Sequence, residues 1–116
     1  MPDVLVFNIP VNTTQEELAK FYNKIVAKIS VQTGVDPSWV HPLFPASMLH
    51  NNLDKLINAF VIINELEEKQ NADKIAKNVV GTLGRLIQKT FGPDKQAAVK
   101  VISQKKEWQH FFEAKI

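Results

Sequence analysis

The stretch that decides the reading is Pro2-Asp3-Val4-Leu5-Val6-Phe7-Asn8-Ile9-Pro10. Its residues alternate: Leu5, Phe7 and Ile9 share one face of an extended chain, and Val4, Val6 and Asn8 share the other. Pro10 ends the strand, since it cannot donate to a ladder. A proline stands directly behind the initiator methionine.

Working outward, Asn12-Thr13-Thr14-Gln15-Glu16-Glu17 reads as a helix start. Thr14 with Glu17 three residues later has the spacing of a capping box. Leu18, Phe21, Tyr22, Ile25, Val26 and Ile29 follow at helical spacing, and Gly34 is a natural C-terminal stop. Trp39 to Leu49 is apolar but carries Pro42 and Pro45, which predicts an irregular or edge strand. His50 to Leu56 reads as a turn. Ala59 to Glu65 is a second strand, with Phe60 and Ile62 on one face and Val61 and Ile63 on the other. After the polar link Glu67 to Asn71, with Asn71 a candidate N-cap, a second helix runs to about Phe91. Ile75, Val79, Leu83, Leu86 and Ile87 form its stripe. Gly81 and Gly84 lower its helix propensity and imply close packing. Gly92-Pro93 stops it, Ala97 to Ile102 reads as a last strand, and the aromatic tail Trp108 to Phe112 is expected to pack on something.

The order is strand–helix–strand, twice. Gly34 and Gly92 lie 58 residues apart, half of the 116-residue chain, and the same shift places Phe21 on Val79, Ile25 on Leu83 and Ile29 on Ile87. That points to a duplicated β-α-β unit, with halves at about 1–50 and 56–116 of a single domain. Each unit wants parallel strands and a helix on one sheet face. The expected fold is α+β: a four-stranded mixed sheet with two helices on one side. Val61, Ile63 and one face of the first strand are expected on the bare side, where further copies of the chain could cover them.

Composition narrows the function. Hydrophobic residues make up 45% and charged residues 22%, as in ordinary soluble domains. There is no cysteine, which excludes disulfides, thiolate metal sites and a cysteine nucleophile. No secretory leader or membrane-length apolar run is visible, so a cytoplasmic protein with no membrane partner is expected. The net charge is only +2, and Arg85 is the sole arginine among 14 basic residues. With lysines interleaved among acids and no basic, aromatic stripe, no nucleic-acid partner is expected. His41, His50 and His110 have no ligand spacing, Ser38 and Ser47 lack elbow glycines, and no phosphate loop or dinucleotide fingerprint occurs. No metal or cofactor is expected. Trp39 and Trp108 read as core or interface anchors.

The Met-Pro start, the element order and the two Gly-stop turns resemble the tautomerase/macrophage migration inhibitory factor superfamily. Asn58 to Asn64, the acidic link, the helix from Ala72 and Phe91-Gly92-Pro93-Asp94 are similar to a small bacterial family of unassigned function with that fold. The resemblance implies a homotrimer and removal of Met1. It also implies Pro2 as a catalytic base for enol–keto tautomerisation or isomerisation of a small acid. In an apolar pocket, desolvation lowers the pKa of such an amine toward neutrality. The usual partners are missing. Members similar to migration inhibitory factor carry a lysine where Val35 stands here, and a tyrosine and an asparagine near Ala97 to Lys100. Lys100 is the one candidate substrate-binding cation, against the alternative of an edge lysine that blocks aggregation. A non-catalytic trimeric relative, and a ferredoxin-like ligand-binding module with an antiparallel sheet, stay open as alternatives.

Overall fold

Val4 and Val6 turn inward and are fully buried, while Asp3, Leu5 and Phe7 of the same strand remain half-exposed. This strand, β1 (Asp3–Phe7), lies inside the sheet. The computed structural model describes residues 2–45 and 56–105. Beside β1 on one flank runs β2 (His41–Leu43), parallel, with Asp3 opposite His41. On the other flank runs β3 (Leu56–Asn64), antiparallel, with Val4 opposite Val61. Strand β4 (Gln96–Gln104) pairs parallel to β3, so the order is β2-β1-β3-β4. Helices α1 (Gln15–Thr33) and α2 (Ala72–Phe91) complete the α+β fold. The parallel pairing of β1 with β2 excludes the ferredoxin-like alternative, whose sheet is antiparallel throughout.

The core lies between the helices and one sheet face. Phe21, Ile25 and Ile29 of α1 and Val79, Leu83 and Ile87 of α2 meet Val4, Val6, Ile57, Ala59, Val61 and Ile63. All six helix positions related by the 58-residue shift are buried. Tyr22, in the expected α1 stripe, is instead exposed, because the stripe is narrower than the apolar run.

Register corrects the reading of the faces. Val61 and Ile63 belong to the helix side, not the bare side. The bare side carries Leu5 and Phe7 from β1, Phe60 and Ile62 from β3, and Ile102 from β4. Phe7 and Phe60 meet there edge to face, with ring centres 5.8 Å apart. Alternation alone defines two faces, and only pairing decides which one the helices cover. Other boundaries also shift. Leu56 begins β3 rather than ending a turn, and β4 is longer than expected by one residue at its start and two at its end. Trp39 lies in a 3-10 turn (Pro37–Trp39) with 56% of its surface exposed, so it is no core anchor. The expected turn at 50–55, Ser47, Trp108, His110 and the aromatic tail lie outside the described residues.

The ends of α1 follow the sequence signals. Thr14 is the N-cap: its hydroxyl oxygen accepts from the Glu17 N–H at 3.1 Å and donates to Glu17 Oε1 at 3.0 Å. Glu16 and Glu17 sit at the positive end of the helix dipole. Gly34 closes α1 at φ 75°, its N–H bonded to the Ser30 carbonyl at 2.8 Å. The two buried hydroxyls of the last turn are satisfied, Thr33 donating to the Ile29 carbonyl at 2.7 Å and Ser30 to the Val35 carbonyl at 2.5 Å. Asn71 occupies the N-cap of α2 but makes no side-chain cap bond.

A Cβ at Gly34 would meet nothing within 4 Å, so the position selects glycine through backbone conformation alone. Gly34→Ala should therefore destabilise the fold by about 1 kcal/mol, read as a lower urea midpoint with an unchanged slope.

Candidate functional site

Pro2 lies one residue before β1, on the inward parity shared with Val4 and Val6, and its side chain is fully buried. Its carbonyl accepts a hydrogen bond from the His41 N–H at 3.0 Å, which extends the β1–β2 ladder by one step and ties the chain end to the neighbouring strand. Because β1 is flanked on both sides, Pro2 sits at the end of an interior strand, where the pairing fixes its backbone.

The topology dictates what shares that end of the sheet. β2 runs parallel to β1, so the α1–β2 connection arrives beside Pro2. β3 is antiparallel and β4 follows β3, so Ile63, Asn64, Ser103 and Gln104 also lie at that end. Beyond them Glu65 starts a 3-10 turn (Leu66–Glu68), held by Glu65 N–H to the Gln104 carbonyl at 2.8 Å and Glu67 N–H to Ser103 Oγ at 3.3 Å. Glu65 adopts φ 56°, a left-handed conformation rare for a residue with a side chain.

In the α1–β2 connection, Asp36 Oδ1 accepts from both the Ser38 N–H at 2.9 Å and the Ser38 hydroxyl at 2.7 Å. These two bonds, the hydroxyl first, hold the Asp36 carboxyl below its ordinary pKa against a smaller opposing effect of desolvation. Val35, where a lysine was sought, packs against the core instead. Ionisable side chains at this end are of both signs: Asp3, Asp36, Glu65 and Glu67 beside Lys69 and Lys105. None is an arginine.

Lys100 is placed elsewhere. It pairs with Phe60 on the bare face, its ammonium 6.0 Å from the centre of the Phe60 ring, within cation–π reach. Phe60 is opposite Leu5, three residues along from Pro2. By strand geometry Lys100 is roughly 10 Å along and roughly 10 Å across the sheet from Pro2, and on the other face. A single chain therefore does not bring the two expected site residues together. His41, scattered in the sequence, is the residue that pairing brings beside Pro2. Only the strand register carried that signal. Among the described residues no group of three His, Asp or Glu side chains could hold a metal, and no helix is long and apolar enough to cross a membrane.

No protein-family model and no curated protein matches the sequence. Solved structures do match. A fused 4-OT, recorded as an asymmetric trimer, superposes with a TM-score of 0.76 at 14% identity, over 94% of this chain and 91% of that one. The fold is that of the tautomerase/macrophage migration inhibitory factor superfamily. A member of the cis-3-chloroacrylic acid dehalogenase family is similar with a TM-score of 0.74 at 11% identity, over 95% and 80% of the two chains. Macrophage migration inhibitory factor of Toxoplasma gondii matches with a TM-score of 0.66 at 12% identity, over 93% and 95%. The tautomerase-like fold thus spans nearly the whole chain at identities where sequence alone carries little.

Ser38→Ala removes the larger of the two bonds to Asp36. Its carboxyl should then titrate at a higher pH than in the parent protein, toward the ordinary aspartate value. Carbon-13 NMR titration of the side-chain carboxyl reads the difference directly.

Proposed function

We propose that this chain is a tautomerase-superfamily protein in which Met1 is removed and Pro2 serves as the general base. It would move a proton between carbon and oxygen of an enol–keto pair in a small acid, in a homotrimer whose copies cover the bare sheet faces. The observation that carries the reading is the complete burial of Pro2 at the end of an interior strand, in a fold shared with a fused 4-OT. Freed of Met1, its nitrogen is a secondary amine on a rigid ring. Where the freed nitrogen shares the burial of its ring, desolvation would disfavour the ammonium form and lower the amine pKa, the condition a base needs near neutral pH. Carboxylates at the same end act in the opposite sense, Asp36 and Glu67 through water and Asp3 and Glu65 from half-buried positions, and the titrated value of the amine reads the balance.

A second reading, a non-catalytic relative with the same assembly, is favoured by Val35, which packs into the core instead of presenting a cation to an acid group. Lys100 of a single chain does not supply that cation. In the proposed trimer, substrate carboxylates would be held by groups that another copy brings to the Pro2 end.

Two measurements test the proposal, the first the freeing of Pro2 and the second the choice between the readings. Intact mass of the purified protein should lack the initiator methionine. Ketonisation of an aryl enol acid should proceed with the parent protein and fall about 100-fold in kcat/KM in Pro2→Ala, the scale of a lost general base. Equal rates for the two proteins leave the non-catalytic reading standing.

A further inference from the structure

Two rows of cations face each other across the outer surface of the helix layer. Lys24 and Lys28 lie one turn apart on α1, and Arg85 and Lys89 one turn apart on α2. The helices run antiparallel, as Phe21 meets Phe91 with ring centres 5.0 Å apart and Gln32 Nε2 donates to Thr82 Oγ1 at 3.2 Å. Between them is a groove of about 590 Å³, whose apolar lining is Ala27, Val31 and the buried Leu86, with the bonded pair Gln32 and Thr82 also in its wall. That volume lies in the range of small-molecule sites.

The charge distribution in this groove is one-sided. Among the described residues no aspartate or glutamate lines it. Among the described residues none of the four cations makes an ion pair, whereas Lys20, a turn earlier on α1, pairs with Glu16 at 3.7 Å. Like charges one turn apart weaken a helix, and here two such pairs, all four side chains exposed, lie on facing helices. The sole arginine is also seated by a second oddity. Gly81 costs α2 helix propensity, and a Cβ there would lie 3.1 Å from Arg85 Nη1 and 3.4 Å from Nη2. The missing side chain leaves the guanidinium its place against the helix.

We propose that this groove is a binding site for a small polyphosphate-bearing ligand, with Arg85 taking a phosphate through its fork of donors and Lys24, Lys28 and Lys89 as point charges around the rest. The groove lies on the helix side of the sheet, so covering the bare face leaves it open, and it is separate from the Pro2 end. A ligand there would relieve the repulsion among the four cations and bind less tightly as salt rises.

The test is an amide NMR titration of the whole protein with inorganic triphosphate at low ionic strength. Saturable shifts should centre on Lys24, Lys28, Gln32, Thr82, Arg85 and Lys89. The double variant Lys28→Gln/Arg85→Gln should weaken binding at least tenfold. Lys74→Gln/Lys77→Gln removes the same charge from exposed positions of α2 outside the groove and should weaken it less than threefold. Equal weakening by the two variants, shifts spread over every lysine-bearing surface, or no saturable shift would each overturn the proposal.

Discussion

Everything in this fold hangs on the antiparallel pairing of β1 with β3. Each strand begins a β-α-β unit, and each unit's second strand attaches to the outer edge of the first, so this one ladder joins the two halves of the sheet. Its register places Val4 opposite Val61 and Val6 opposite Ala59 under the helices, and Leu5 opposite Phe60 on the bare side. A slip of one residue would turn both sets over and expose the core. Because β1 and β3 run in opposite directions, their helices do too. That antiparallel helix pair sets Phe21 against Phe91 and opens the cationic groove beyond.

Most element ends were legible from local signals. Thr14, Gly34 and Gly92 mark helix ends because each solves a local problem, a free N–H or a backbone turn, that does not depend on distant residues. The buried stripe of Phe21, Ile25 and Ile29, with Val79, Leu83 and Ile87 at the matching positions, was legible for the same reason. What the sequence did not carry was relation between elements. Phe60, Ile62, Val61 and Ile63 are all apolar, so nothing local says which pair the helices cover. His41 looked isolated until the β1–β2 register put its N–H on the Pro2 carbonyl. Lys24, Lys28, Arg85 and Lys89 read as scattered surface lysines and one arginine until the helix pairing brought two distant segments face to face.

The candidate site follows the same logic. Pro2 is held by strand pairing and burial, both consequences of the sheet centre, while the groups around it come from connections of low regularity: Asp36 and Ser38 after α1, and Glu65 with its left-handed backbone after β3. The sheet therefore fixes Pro2 firmly while irregular connections supply the groups around it, and similarity at 14% identity or less speaks to the fold and not to a substrate. Val35 illustrates the point. It occupies the sequence position where a cation was sought, and it serves the core.

In the proposed function, burial at the end of the interior strand makes Pro2 a base that is neutral near physiological pH. The most direct measurement is a nitrogen-15 NMR titration of the protein labelled at proline and freed of Met1, following the Pro2 amine. An apparent pKa clearly below the value of about 8 for an ordinary α-amine is expected. A value at or above that figure, with the fold intact, would contradict it.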